Sequence, residues 1–464
     1  MVTFGTLGNL DGSEQIRTIR LATTENQFEL FKRLYDSYDN VFILESLVGP
    51  EELAEMSVIG FGPEITVTCD SKKFTVREKR KVVHQAIVTD PLMQLREIMP
   101  KVKDGRSRYI GGAVGYISYD AARFWERLPP GKKKDGNYPL LEFGIYADGI
   151  LYNHRENQAY YFFVGKSRLD ELQKKLALSS SKPSRFSFSS PRRNMTKAQF
   201  VKIVKKAKRY VYDGDVFQVV IAKSMKFSVK GNLIKLYENL RKVNPSPYMY
   251  LLKMSDRCIV GSSPEMLVRV TGDRVETFPI AGTRPVVRNE AKNEKLRQEL
   301  LKDEKELAEH TMLVDLARND IGRVCDFGTV RVKELMTVKR FSHVQHIVSH
   351  VTGRLQEKHD CYDALRAVFP AGTVSGAPKV RAMEVIDELE PTLRGPYAGA
   401  LGYFSFNGSC DFAITIRSLF VNRNAAYIES GAGIVMDSDP EREWEETEHK
   451  ANAMLTALRM SSAR

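Results

Sequence analysis

Cysteine is sparse in this chain, with five among 464 residues. Cys69, Cys258, Cys325, Cys361 and Cys410 lie far apart, which excludes a disulfide framework and a zinc knuckle. No apolar run approaches a membrane span, and the opening residues MVTFGTLGNLDGSEQ lack the charged and apolar regions of a signal peptide. The sequence therefore predicts a cytoplasmic protein with no membrane association. The glycine-rich run Gly111-Gly112-Ala113-Val114-Gly115-Tyr116 is not closed by Gly-Lys-Ser/Thr, so it is no phosphate loop. Short internal repeats are absent. The net charge is +12, but basic runs such as Lys132-Lys133-Lys134 and Arg192-Arg193 are not interleaved with stacking aromatics. Scattered basic surface, or a field that draws in small anions, accounts for the charge better than nucleic acid does.

What is present is an ordinary globular composition, 42% hydrophobic and 28% charged, in a chain long enough for two or three domains or one two-lobed body. Residues 1–178 alternate short β-rich runs with turns: Val41–Leu44, Ile65–Thr68 and Tyr160–Val164 read as strands, Phe28–Leu34 and Asp90–Ile98 as helices. Residues 179–193, SSSKPSRFSFSSPRR, read as a flexible linker. From 194 to 464, Thr196 and Gln199 form a capping box for an amphipathic helix, and Val216–Ile221 reads as a buried strand interrupted by Gln218. One long helix is expected over 290–318, one strand over 338–351, helices over 361–369 and 378–389, and strands over 399–406, 411–421 and 427–430. Strands in antiparallel succession with helices inserted predict an α+β body of mainly antiparallel sheets flanked by helices.

Near the end of the chain, GAGIVMDSDPEREWEETEHK (431–450) joins Gly431-Ala432-Gly433, where a backbone can approach a ligand closely, to a helix starting at Pro440. Glu443, Glu446 and Lys450 recur at spacings of three and four, so they share one helix face. Two carboxylates and an ammonium behind a glycine turn can hold a hard cation and an anion, or can be a solvated face with an ordinary ion pair. Glu309 sits where a charged helix surface turns apolar. His343, His346 and His350 would cluster like zinc ligands on a helix, but their β-branched neighbours favour a strand.

Taken together, PIAGTRP (279–285), AEHTMLVDLARNDIGRV (308–324), FPAGTVSGAPKVRAME (369–384), GYFSFNG (402–408), ITIRS (414–418) and GAGIVMDSDPEREWEET (431–447) resemble the chorismate-utilising enzymes. The resemblance is strongest to their anthranilate synthase large-subunit branch and covers essentially all of 194–464. It implies the two-lobed, mainly antiparallel fold of that family, with the catalytic region in 194–464 and 1–178 contributing to a tryptophan regulatory site. The implied activity is amination of chorismate with ammonia, then pyruvate elimination to anthranilate. The implied cofactor is Mg²⁺, on Glu309 and Glu446 with Glu443 nearby. Gly431, Ala432 and Gly433 would hold a substrate carboxylate, with Lys450 close to the metal-bound end. Tyr403 and Arg417 would grip the enolpyruvyl carboxylate, with Ala281, Gly282, Thr283 and Thr373 as further substrate contacts. Glu265 matches the general acid for the departing ring hydroxyl, and His346 a residue beside that hydroxyl.

Two positions distinguish the family's branches. The water-adding relatives carry a lysine base where this chain has Gln218. Aminodeoxychorismate synthases, the nearest alternative, commonly carry a nucleophilic lysine where it has Ala281. Both features suit ammonia addition ortho to the ring carboxylate. Glu45-Ser46 and Pro247-Tyr248-Met249 match the family's tryptophan site, which implies feedback inhibition. No Gly-x-Cys-x-Gly-x-Gln motif surrounds any cysteine. Ammonia is therefore expected from a separate glutamine amidotransferase in a hetero-oligomer.

Overall fold

In the computed structural model, the described residues are 15–48, 56–102, 107–129, 132, 138–178, 185–341 and 344–462. They build two large antiparallel sheets. The first, of thirteen strands, runs in the order Arg17–Arg20, Gln158–Phe163, Asp148–Asn153, Met56–Phe61, Asn40–Glu45, Tyr248–Met254, Arg257–Ser263, Ser418–Asn422, Ala425–Ile434, Gln218–Lys230, Ser187–Phe188. Two short strands, Arg192–Arg193 and Gly376–Ala377, also pair with Gln218–Lys230. The second, of twelve strands, places Ala400–Ser405 beside Gly112–Ile117. Each sheet thus joins one block of strands from residues 17–163 to one block from residue 187 onward, the seam being Asn40–Glu45 with Tyr248–Met254 in the first and Gly112–Ile117 with Ala400–Ser405 in the second.

Alternation of side chains along each strand separates two cores. Phe42, Tyr250, Leu252 and Phe420 of the first sheet pack with Val114, Phe143, Phe404 and Phe412 of the second. Their chain neighbours Val41, Ile43, Leu251 and Leu419 face the other way, beneath the helices Gln27–Tyr35 and Ile234–Val243 and the end of Pro440–Ser462. A third cluster lies among Lys197–Tyr212, Lys379–Leu389 and the strand pair Gln218–Lys230 and Ala425–Ile434.

Several boundaries differ from the sequence reading. The long helix over 290–318 is two, Glu290–Leu300 and Glu304–Gly322, because the Asp303 carboxylate caps the second by accepting from the Glu306 amide at 3.3 Å. The strand over 338–351 is the hairpin Arg331–Arg340 and Val344–Arg354; His343 lies outside the described residues. The strand over 411–421 divides into Cys410–Ile414 and Ser418–Asn422, with Arg417 between them at φ 53°. Within the segment read as a linker, Ser187–Phe188 and Arg192–Arg193 are paired strands, since the long strand Gln218–Lys230 leaves its outer half free to accept them; residues 179–184 lie outside the described ones. The capping box at Thr196 and Gln199 is present.

Candidate active site

A cavity of about 550 Å³ lies where the strands Gln218–Lys230 and Ala425–Ile434 meet Ile280–Pro285, Val344–Arg354 and the helices Glu304–Gly322 and Pro440–Ser462. One wall is acidic. Glu309 comes from the first of those helices, and Glu443 and Glu446 from one face of the second. Lys450, one turn further on, stands 2.6 Å from the Glu446 carboxylate and donates to the Gly431 carbonyl at 2.9 Å. Burial pushes the Glu309 carboxyl up; Glu306 and Glu446 add to this, while the Gln218 amide and Lys450 oppose it. The Glu443 carboxyl is also pushed up by burial, with Glu446 adding to the effect. Carboxylates that raise one another in this way form a hard-oxygen donor set short of positive charge, and they fit a divalent cation completed by water and substrate oxygens. Among the described residues no group of three or more His, Cys, Asp or Glu closes a metal site unaided.

Beside this wall the lining turns basic and glycine-rich. Arg417 is half-buried and donates to the Lys450 carbonyl at 3.0 Å. Its positive φ places a non-glycine residue in the left-handed region, a strained conformation that aims the guanidinium into the cavity instead of along a strand. Gly433 is small for a specific reason: a Cβ there would stand 2.2 Å from Gln218 Nε2. At Gly431 a Cβ would meet the Tyr397 hydroxyl at 3.1 Å. Gln218 donates to Glu309 at 3.0 Å, and its own carbonyl oxygen is buried with no partner among the described residues.

Glu265 and His346 face the same space. Burial pushes the Glu265 carboxyl up to about 8, against the opposing pull of Thr373 and Lys450, so it carries a proton at neutrality. The Thr373 hydroxyl stands beside Glu265 and favours its charged form as a donor, with no other hydrogen-bond partner among the described residues. His346 Nδ1 lies 2.7 Å from the Gly282 carbonyl, and 3.2 Å from the Thr283 hydroxyl. A carbonyl only accepts, so Nδ1 carries the hydrogen and Nε2 keeps its lone pair. Burial lowers this imidazole to about 4, which keeps it neutral. Ala281 completes the wall with no reactive group.

The model of the chorismate binding enzyme family matches residues 39–456. The chain belongs to that family. This chorismate-binding enzyme is 47% identical over 435 residues to anthranilate synthase component 1 of Methanothermobacter thermautotrophicus, covering 94% of this chain and 92% of the relative. It is 43% identical to the same component of Acetivibrio thermocellus, with 94% and 93% covered. Its fold matches the crystal structure of anthranilate synthase component I from Streptococcus pneumoniae with a TM-score of 0.76 at 34% identity, over 88% of this chain and 94% of that one. The menaquinone-specific isochorismate synthase MenF of Escherichia coli shares the fold at a TM-score of 0.72 and 19% identity, over 96% and 95% of the two chains.

Two expected contacts of the chorismate-binding enzyme do not line its cavity. Tyr403 is turned into the core between the sheets, its ring edge-on to Tyr109 at 4.8 Å. Tyr397, six residues earlier in RGPYAGALGY, lines the cavity near Arg417 instead. Ala432 packs its methyl group into the third core cluster with Val219 and Ile221, because neighbours of Gly431 and Gly433 along a strand must face the other side. Lys305, Glu306 and His449 also line the cavity. The sequence reading did not single them out. The signal for Tyr397 is Arg-Gly-Pro-Tyr, which ends four residues before the matched block that starts at Gly402.

Away from the cavity, Met249 pairs with Glu45 across adjacent strands, which joins the Glu45-Ser46 and Pro247-Tyr248-Met249 segments. The buried Glu45 carboxylate accepts from Tyr237 and from Arg241 Nε, each at 2.7 Å, and from Gln27 at 2.9 Å.

Proposed function

We propose that the chain is anthranilate synthase component I, converting chorismate and ammonia to anthranilate and pyruvate. The observation that carries this reading is Gln218: an amide bonded to Glu309 occupies the place where water-adding relatives carry a lysine base. Water must lose a proton before it attacks, whereas ammonia brings a free lone pair. Ala281 speaks against the second reading, aminodeoxychorismate synthase, because a methyl group forms no covalent intermediate.

In this reading Arg417 and Tyr397 hold the enolpyruvyl carboxylate, the guanidinium presenting a fork to its two oxygens. Glycines 431 and 433 leave room for the ring end, with Lys450 nearby. Thr283, on the strand Ile280–Pro285, and Thr373, in the short helix Gly372–Ser375, orient the substrate. Glu309 and Glu446, with Glu443 behind them, would hold Mg²⁺, which neutralises the ring carboxylate when bound. Ammonia adds ortho to that carboxylate as the double bonds shift. The ring hydroxyl departs as water with the proton of Glu265, while the lone pair of His346 Nε2 accepts hydrogen bonds beside it. Loss of the enolpyruvyl group as pyruvate then gives the aromatic amine.

The protein works in the cytoplasm with a glutamine amidotransferase, and tryptophan inhibits it where residues 1–178 meet 244–250. The decisive assay is purified chain with chorismate, an ammonium salt and Mg²⁺, followed by anthranilate fluorescence and product chromatography. Aminodeoxychorismate as the product would overturn the assignment.

A further inference from the structure

Next to the substrate cavity is a second one, of about 610 Å³. Side chains at 427, 429, 431 and 433 project from the same face of the strand Ala425–Ile434. Gly431 and Gly433 line the substrate cavity, Tyr427 lines the second, and Glu429 between them lines both. The remaining wall of the second cavity includes Lys226, Arg257, Arg394 and Tyr138.

The Glu429 carboxyl is bare. It makes no hydrogen bond or ion pair to a described residue, although it lies deep enough for burial to raise it well above the ordinary carboxylate range. Its side chain nonetheless keeps intermediate exposure, so the surface it shows is cavity wall. Arg394 does not neutralise it. That guanidinium is committed to Glu390 at 2.6 and 3.0 Å and to the Val374 and Val220 carbonyls at 2.6 and 2.8 Å. Glu390 and Asp120 add their charge to the pressure on Glu429, while Arg394 and Lys226 oppose it only through space.

An unpartnered carboxyl between two cavities must choose among what passes it. Chorismate carries two carboxylates and is repelled there, while the substrate cavity offers it Arg417 and Lys450. Ammonia and ammonium offer N–H donors and, in the second case, the complementary charge. We infer that Glu429 is the throat through which ammonia enters the substrate cavity from the second cavity, a charge filter that admits the nucleophile and turns chorismate away. Ammonium reaching the throat gives one proton to the Glu429 carboxylate. Ammonia moves on with its lone pair, and the carboxylic acid returns that proton to solvent by way of the second cavity. Nitrogen and substrate thereby enter by different routes, and neither blocks the other.

This inference rests on the amination reading, and the test separates the two. Ammonium-dependent turnover is measured at saturating chorismate for the wild-type chain, Glu429→Gln and Glu429→Leu. Chorismate binding without ammonium is titrated in parallel, and folding is checked by thermal unfolding. Losing the polar partner should raise KM for ammonium about tenfold or more in Glu429→Leu and by less in Glu429→Gln. KM and Kd for chorismate should stay within about twofold, inside the range of a contact not removed. An unchanged KM for ammonium, or a parallel rise in that for chorismate, overturns the throat. If Glu429→Leu fails to fold, the same criteria apply to Glu429→Gln, whose shape is that of the native side chain. A wild-type chain that makes no anthranilate from chorismate and ammonium overturns the amination reading itself.

Discussion

Gln218 donates its side-chain amide to Glu309 across 3.0 Å, and a Cβ on Gly433 would stand 2.2 Å from that same amide nitrogen. The position of a carboxylate on one helix is therefore set by a missing methyl group on a strand. Gly433→Ala tests this. The clash falls on the far end of a flexible side chain, so thermal stability should change by less than about 1 kcal/mol while turnover drops about tenfold or more. A loss of folding with activity per folded molecule intact would contradict it.

A charge at residue 218 changes the chemistry more directly. Gln218→Lys places an ammonium against Glu309 and competes with any cation there. Ammonium-dependent anthranilate formation should fall about 100-fold. Product chromatography shows whether a hydrated product appears in its place.

Glu309→Gln and Glu446→Gln should each lower Mg²⁺-dependent turnover about 100-fold or more without unfolding the chain. Glu309 is held up by burial and by its acidic neighbours, so removing its charge relieves repulsion and should leave stability unchanged or improved. Full activity in both variants would place the metal elsewhere.

Glu265 predicts a pH dependence with a definite sign. Its folded value, about 8, lies above the ordinary 4.5, so the native state binds more protons than the unfolded chain between those values. Stability contributed by this group is complete below about pH 4.5 and is lost as pH rises through about 8. Activity that needs the acid form should fall over that upper limb. Glu265→Gln should abolish the limb and lower kcat about 10²- to 10⁴-fold.

For the regulatory segments, Glu45→Gln should weaken tryptophan inhibition about tenfold or more, with ammonium-dependent turnover retained. Because Arg241 then loses its charged partner, thermal stability should also fall, by about 1–3 kcal/mol. Flat activity while tryptophan is titrated to millimolar in the wild-type chain would remove the inhibitory site.

The sequence was most legible where chemistry and periodicity agreed. Glu443, Glu446 and Lys450 were readable as one helix face, and the cavity does gather them with Glu309, Arg417 and Glu265. It was least legible where tertiary pairing decides. A serine-rich run reads as a loose connector until the free outer half of Gln218–Lys230 recruits it into a sheet. Tyr403 and Tyr397 are both tyrosines in one glycine-rich block, and only the facing of the strand Ala400–Ser405 tells the core ring from the cavity ring. Lys305 and Glu306 carry no local sign that another strand will fold over them.

The seam that joins early to late strands in each sheet has a consequence for biosynthesis. When the ribosome has made Asn40–Glu45 and Gly112–Ile117, their neighbours Tyr248–Met254 and Ala400–Ser405 have not yet been translated. Until they arrive, those strands carry open edges able to pair with other chains. Nascent protein is thus most exposed to aggregation midway through synthesis, and chaperone capture should matter most in that interval.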